Sequence, residues 1–118
     1  MANIFHIISK DEWEKARKHG VYSPSSLATD GFIHCSYTDQ ICDVANHLYK
    51  GQKNLMLLRI YEPLVKPEIK YEPPLEAPFS GILYPHIYGD LNLDSIDKVL
   101  DFPVSEDGSF RLPPELLD

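Results

Sequence analysis

Apolar and polar positions in this chain form short runs that predict strands, and these runs are spread over most of its length. Each run is rich in Ile, Leu, Val, Phe or Tyr. The strands predicted in this way are residues 3–8, 32–36, 54–61, 69–72, 82–88 and 95–102. The largely apolar run 54–61 is typical of a central strand that is buried on both faces.

Two segments in the first half have helical spacing instead. Ser9 and Glu12 have the spacing of a capping box, so a helix is predicted over residues 10–18, with Gly20 as its C-terminal stop. Apolar residues spaced i, i+3, i+4, i+7 and i+8 predict a second helix over residues 39–49.

The order of these elements predicts a single α+β domain. Helices come early and strands come late, which favours a mixed, strongly curved β-sheet with two N-terminal helices. We place the domain at residues 1–104. Residues 105–118 are polar and interrupted by Pro, so we expect a loosely held tail there. A loop is predicted over residues 73–81, which contain three prolines.

Composition narrows the class of protein. The chain has 118 residues, a net charge of −7 and 43% apolar residues, all ordinary for a globular domain. The acidic balance argues against a broad nucleic-acid-binding face. We find neither a membrane-spanning apolar run of about 18 residues nor a signal-peptide pattern. We therefore expect a cytoplasmic protein in which Cys35 and Cys42 are reduced.

Three histidines in apolar, strand-like sequence are the first candidates for function. They are His6, His34 and His86. A buried imidazole needs hydrogen-bond partners, because burying an unpaired polar group costs a few kcal/mol. Three such residues in one small domain indicate a shared polar pocket.

Alternation along the strands limits which side chains can line this pocket. His34 and Ser36 lie on one face of their strand, about 7 Å apart, and Cys35 lies on the other face. His6 is either aimed at the pocket or is a core histidine bonded to a backbone carbonyl, and the sequence leaves both possibilities open.

Other chemistries for these residues have less support. Zinc sites usually show tight local spacing such as His-x-x-x-His or Cys-x-x-Cys, which is missing, so no metal is expected. Cys35 faces away from His34, which disfavours a thiol nucleophile. Ser36 is not part of a Gly-x-Ser-x-Gly elbow, and the chain has no Walker loop or dinucleotide-binding glycine fingerprint.

Glu72 is the candidate acid among the carboxylates. It follows Tyr71 on a predicted strand and is the acid most embedded in strand sequence. The alternative is a solvent-facing residue at a sheet edge, because most Glu side chains are exposed. Tyr88 shares a face with His86 if that segment is extended.

Several short sequence segments of this chain together resemble a bacterial family catalogued as domain of unknown function 952. The resemblance covers roughly residues 3–102, nearly the whole domain. The matching pieces are the His6 strand, Trp13, Gly20-Val21-Tyr22, Asp30-Gly31-Phe32-Ile33-His34-Cys35-Ser36, Tyr71-Glu72 and Pro85-His86-Ile87-Tyr88-Gly89.

That family is similar to a compact form of the ADP-ribosyltransferase fold, which includes the RNA 2′-phosphotransferases. The resemblance implies a split, curved β-sheet with a cleft that holds NAD in active relatives. It implies that His6 binds the ribose of the cofactor, and that Ser36 and Tyr88 also belong to the cofactor site. The Tyr88 ring would stack on the nicotinamide.

The catalytic roles that the resemblance implies fall on His34, His86 and Glu72. Cleaving the nicotinamide bond builds positive charge on the ribose, and a carboxylate nearby would stabilise that charge. Many transferases of this fold carry a late Glu-x-Glu, which this chain lacks. Glu72 is therefore the only substitute for the usual acid.

Three functional hypotheses remain open at this point. The leading one is a cleft that binds NAD, ADP-ribose or another nucleotide and either transfers ADP-ribose or processes a phosphorylated nucleotide. The second is a non-catalytic ligand-binding module with the same fold. The third is a metalloenzyme that uses His6, His34 and His86. A small-molecule nucleotide is the only partner predicted, and protein partners are left open.

Overall fold

The computed structural model describes residues 3–74 and 80–116, an α+β fold with three helices and antiparallel sheets. The helices are α1 (Lys10–His19), α2 (Ser26–Thr29) and α3 (Ile41–Leu48). The strands are β1 (Asn3–Ser9), β2 (Val21–Tyr22), β3 (Ile33–His34), β4 (Leu55–Tyr61), β5 (Glu68–Glu72), β6 (Tyr84–Tyr88), β7 (Leu91–Asn92) and β8 (Ile96–Asp101). The predicted α+β class is confirmed.

The strands form antiparallel sheets rather than one mixed sheet. In the first sheet β4 lies between β1 and β8, and in the second β6 lies between β3 and β5. A third pair joins β2 and β7. All these pairings are antiparallel, so the prediction of a mixed sheet is wrong. Strand direction depends on which distant strands become neighbours, and local patterning carries no information about that.

The two three-stranded sheets meet at one backbone pair and then separate. Phe5 on β1 and Ser36, just after β3, exchange two hydrogen bonds of 2.8 Å. In a continuous antiparallel ladder, the next bonded pair would join Ile7 and His34. Within the described residues no backbone hydrogen bond joins these two. The sheets therefore diverge beyond Phe5 and leave a gap beside Ile7.

Two cores lie on opposite faces of β1, because successive side chains of a strand alternate. The first core is packed against α1 and includes Ile4, Ile8, Ala16, Tyr22, Ile33, Leu58 and Ile87. The second is packed against α3 and includes Phe5, Ile7, Ile41, Ala45, Leu57 and Phe102. β1 thus connects both cores to the gap between the sheets.

The helices agree with their predicted positions, with one addition. Helix α1 begins where the Ser9 hydroxyl accepts the Glu12 N–H, and it ends at Gly20, whose φ of +88° suits a residue without Cβ. Helix α3 lies inside the predicted range 39–49, whereas the short α2 was not predicted. No helix in the described residues is long and apolar enough to cross a membrane.

Residues after β8 pack against α3. Phe110 is buried, its ring centroid lies 4.8 Å from that of Phe102, and Asn46 bonds to both the N–H and the C=O of Phe110. Part of the predicted tail 105–118 therefore contributes to the second core. Residues 75–79 of the predicted loop and residues 117–118 of the tail lie outside the described residues.

Replacing Phe110 with Ala is expected to lower the free energy of unfolding by about 3–5 kcal/mol, because loss of a buried ring leaves a cavity. Urea unfolding followed by circular dichroism measures this change. Glu115→Ala alters an exposed residue of the same segment and serves as the control, with an expected change below about 0.5 kcal/mol. Equal stability of the two variants would contradict the packing of this segment.

Candidate active site

A cavity of about 740 Å³ opens where the two sheets separate. Its wall includes His6 from β1, Tyr22 from β2, His34 from β3, Ser36 from the segment that follows, and His86 from β6. The structure thus brings the three histidines and Ser36 to one cavity, although they are far apart in sequence.

Both ring nitrogens of His6 are bonded to protein groups. Nδ1 lies 2.6 Å from the His34 carbonyl oxygen, so this nitrogen carries the proton and donates it. Nε2 lies 2.7 Å from the Tyr22 hydroxyl, which donates to it. Burial lowers the pKa of His6 to about 4, so the ring is neutral near pH 7. His6 is both a histidine bonded to a backbone carbonyl and part of the cavity wall.

Tyr22 is a site residue that sequence reasoning missed. Pairing of β2 with β7 holds Tyr22 opposite Leu91 and places its hydroxyl against His6. Burial, with a further contribution from Glu12, raises the pKa of Tyr22, so the hydroxyl remains a donor. The only signal for this residue was its place in the Gly20-Val21-Tyr22 string.

His34 is paired with a carboxylate that the sequence analysis left without a role. Its Nε2 lies 2.8 Å from Oδ2 of Asp30, four residues earlier in the chain. Asp30 ends α2, and Gly31, with φ of +88°, turns the chain into β3. The His34 side chain is 50% exposed, so this pair is open to solvent. An acid at this spacing before a strand histidine was the available signal.

His86 has a carboxylate partner of its own. Its Nδ1 lies 2.9 Å from Oε1 of Glu72, and the Tyr88 hydroxyl donates to the same oxygen. Hydrogen bonds from Tyr88 and from His86 lower the pKa of Glu72, so the side chain is ionised at neutral pH. The bond to Glu72 also raises the pKa of Tyr88 to about 12. In contrast to His34, the His86 side chain is only 3% exposed.

The Phe32 ring contacts both histidines of these pairs. It stacks on His86 with a centroid distance of 3.9 Å, and it lies tilted against His34 at 4.7 Å. His34 and His86 are cross-strand partners on β3 and β6, with ring centroids 5.6 Å apart. These contacts limit the positions that either imidazole can take.

Glu72 and Tyr88 are not in the cavity wall formed by the described residues. Glu72 contacts His86, which does line the cavity, so the predicted acid is connected to the cavity through that ring. The Tyr88 ring contacts Phe32 at 5.3 Å, and Nζ of Lys70 lies 4.7 Å from the Tyr88 ring centroid.

The cavity continues along one side of α3. Apolar groups on this side come from Val44, Leu48 and Tyr49. Polar groups come from Asp43, His47 and Gln52. Within residues 3–74 and 80–116, no Lys or Arg side chain lines the cavity.

The arrangement favours neither metal nor thiol chemistry. No group of three or more His, Cys, Asp or Glu side chains in the described part of the chain is placed to hold a metal ion. Burial raises the pKa of the Cys35 thiol, so the thiolate that nucleophilic chemistry needs is disfavoured.

Comparison with known proteins adds a family and a fold. A family model described as "Protein of unknown function (DUF952)" matches residues 7–99. A crystal structure of protein CC0527 from Caulobacter crescentus is similar, with a TM-score of 0.79 and 34% identity over 93% of this chain and 94% of that one. A solution NMR structure of CC0527 gives a TM-score of 0.77 and 31% identity over 99% and 98% of the two chains. No curated protein matches this chain.

Because the pKa of His6 is lowered in the folded protein, the free energy of unfolding should decrease as the pH falls. Between the pKa of about 4 in the folded protein and the ordinary value of 6.5, the unfolded chain binds more protons than the folded one. The free energy of unfolding should therefore be highest above pH 6.5 and fall as pH decreases towards 4, by up to roughly 3 kcal/mol from this residue.

Urea unfolding of the protein and of His6→Gln between pH 5 and 7 tests this. The variant should be less stable at pH 7 but should lose most of the pH dependence. His19→Gln changes an exposed histidine at the end of α1 and should keep it. The same slope in His6→Gln as in the unchanged protein would show that His6 is not the group responsible.

Proposed function

This chain belongs to the DUF952 family, and we propose that its cavity binds NAD, ADP-ribose or a closely related nucleotide and supports transfer of the ADP-ribose group. The family match over residues 7–99 confirms the resemblance to domain of unknown function 952 that the sequence motifs indicated. The family description names no activity, so the proposal rests on the site.

The observation that carries the proposal is the convergence of polar side chains from separate elements on one cavity. A volume of about 740 Å³ lies within the range of about 300–1,000 Å³ that is typical of small-molecule sites. His34, Ser36 and Tyr22 supply imidazole and hydroxyl groups, which suit the many oxygens of a ribose. Apolar walls from α3 suit the faces of a base.

The backbone beside the gap is also suited to this ligand. On β1 the even-numbered residues bond to β4, as the continuation from Lys10 N–H to Asn54 C=O shows, and Phe5 bonds to Ser36 on the other side. The N–H and C=O of Ile7 therefore point into the gap. A donor and an acceptor side by side match the two polar atoms of a carboxamide such as that of nicotinamide.

His6 supports the ligand site indirectly. Because Nδ1 and Nε2 of His6 are bonded to His34 and Tyr22, the groups that face a ligand there are the Tyr22 hydroxyl oxygen and the backbone of Ile7. The cofactor role expected for His6 thus becomes one of holding these groups in position.

The phosphate groups of the ligand would be bound by hydrogen-bond donors rather than by a Lys or Arg side chain of the described wall. Hydroxyls of Ser25, Ser26 and Ser36 line the cavity, together with the imidazoles, while the described wall contains no Lys or Arg. Since phosphate–cation pairs are what make binding sensitive to salt, the affinity should depend mainly on the ribose and base contacts.

The carboxylate–imidazole pair of Glu72 and His86 provides the charge that ADP-ribose transfer needs. When the bond between C1′ of the ribose and the nicotinamide nitrogen breaks, positive charge develops on the ribose. Glu72 is ionised, and its bond to Nδ1 orients the His86 ring in the cavity wall. In this proposal Glu72 stabilises the developing charge through His86 rather than by direct contact.

Isothermal calorimetry with NAD and with ADP-ribose at millimolar concentration tests the binding. We expect measurable heat with both nucleotides. The affinity should change little between about 50 and 200 mM salt, a range over which exposed ion pairs are increasingly screened. Ser36→Ala should weaken binding by about 2- to 12-fold, the equivalent of one hydrogen bond.

The matched control is Ser95→Ala, which removes a buried hydroxyl bonded to Asn92, away from the cavity wall. Its affinity should equal that of the unchanged protein. A folded protein that gives no heat with either nucleotide would remove the basis of the proposal.

A second candidate is a binding module that does not catalyse transfer. It is favoured by one observation: Glu72 contacts Tyr88 and His86 and is not in the described cavity wall. A carboxylate in this place can serve to orient His86 without any chemistry.

Release of nicotinamide from NAD separates the two candidates. If transfer occurs, Glu72→Gln should lower kcat by roughly 10²-fold or more, since it removes the negative charge. Glu62→Gln is the matched control, because Glu62 also accepts a hydrogen bond from a tyrosine, Tyr71, but lies outside the cavity wall. Binding of NAD without any nicotinamide release would favour the module.

A further inference from the structure

Two carboxylate–imidazole pairs contact the same Phe32 ring and differ in their access to solvent. The Glu72–His86 pair has a His86 side chain that is only 3% exposed. The Asp30–His34 pair has a His34 side chain that is 50% exposed. His34 can therefore exchange a proton with solvent or with a second reactant, whereas the buried His86 ring is shielded from both.

The Asp30 contact decides which nitrogen of His34 can accept a proton. Because Nε2 lies 2.8 Å from the Asp30 carboxylate, which can only accept, Nε2 carries the proton of the neutral ring. Nδ1 is then the nitrogen with a lone pair. Within residues 3–74 and 80–116, no protein group forms a hydrogen bond with Nδ1 of His34.

The position of Asp30 is itself well defined. Its backbone N–H bonds to the Ser26 carbonyl at 2.7 Å at the end of α2. His34, in turn, is held by pairing with His86 and by the bond from His6 to its carbonyl oxygen. Both partners of the pair are thus anchored through the backbone.

We propose that His34 is the general base of the transfer reaction, that Asp30 is its positioning residue, and that the acceptor of ADP-ribose is a neutral hydroxyl group. This inference rests on the function proposed above. A hydroxyl must lose its proton to become a good nucleophile, and a carboxylate next to the imidazole stabilises the imidazolium that results. An acceptor carboxylate or phosphate is already ionised at pH 7 and would need no such base.

Transfer of ADP-ribose to the hydroxyl group exchanges one bond at C1′ of the ribose for another. The acceptor oxygen forms a bond to C1′ of the ribose, and the bond from C1′ to the nicotinamide nitrogen breaks. The electron pair of the broken bond stays on that nitrogen, which converts the cationic pyridinium into neutral nicotinamide. The hydroxyl proton moves to Nδ1 of His34, which becomes an imidazolium beside the Asp30 carboxylate.

Other charged and titratable groups near His34 come from three elements. His86 on β6 lies 5.6 Å away between ring centroids and is paired with Glu72 on β5. His6 on β1 bonds to the His34 carbonyl oxygen.

The test measures nicotinamide release from NAD in water and in water containing methanol, with products identified by mass spectrometry. We expect the methyl glycoside of ADP-ribose, in which the methanol oxygen is bonded to C1′, to form in proportion to the methanol concentration. Asp30→Asn keeps the size of the side chain but not its charge, and should lower kcat by roughly 10²- to 10⁴-fold with little change in KM for NAD.

Chemical rescue distinguishes a base from a structural residue. His34→Gly should lose activity by a similar factor and regain part of it when free imidazole is added, with a rate that rises with the fraction of neutral imidazole. Asp97→Asn is the matched control, because Asp97 forms an exposed pair with Arg59 at 2.8 Å and is not in the cavity wall. It should retain full activity.

The outcomes separate this inference from the proposed function. Nicotinamide release that is unaffected in Asp30→Asn and His34→Gly overturns the role of the pair but leaves the transfer activity standing. Transfer to a guanidine such as agmatine, with none to methanol or water, overturns the hydroxyl acceptor. Calorimetric binding of NAD with no nicotinamide release overturns this inference together with the transfer step and leaves the binding module. The absence of binding overturns the whole proposed function.

Discussion

The hydrogen bond from Nδ1 of His6 to the His34 carbonyl oxygen is the contact on which the site depends. At this point the backbone ladder between the two sheets ends, and a side chain takes the place of the Ile7 N–H. A buried carbonyl left without a partner would cost about 1–3 kcal/mol. Because a side chain reaches further than a backbone amide, the bond is made while the sheets remain apart, and the gap becomes a cavity.

This bond also connects the cavity to the core. His6 lies on the same face of β1 as Ile4 and Ile8, and its second nitrogen accepts from Tyr22, which is buried in that core. A neutral ring is required, because an imidazolium could not accept from Tyr22, and burial provides it by lowering the pKa of His6. The residues at the gap are therefore held by the same packing that stabilises the fold.

The site contains two carboxylate–imidazole pairs that have similar contacts but differ in burial. Each of His34 and His86 has one nitrogen bonded to a carboxylate, and each rests against Phe32. Carboxylate partners orient an imidazole and fix which of its nitrogens carries the proton. The buried pair is suited to holding the His86 ring in position, and the exposed pair is suited to exchange of a proton with solvent.

Local spacing and caps such as Ser9 and Gly20 were enough to predict the α+β class, the approximate ranges of most strands and of α1 and α3, and the candidate histidines. Tertiary packing, in contrast, set the antiparallel pairing of the strands, brought Tyr22 and Asp30 to the site, and placed Glu72 against His86 instead of in the described cavity wall. These features depend on contacts between residues far apart in sequence or on the rotation of single side chains. Neither leaves a periodic signal in the chain, since both are settled by how the two sheets pack.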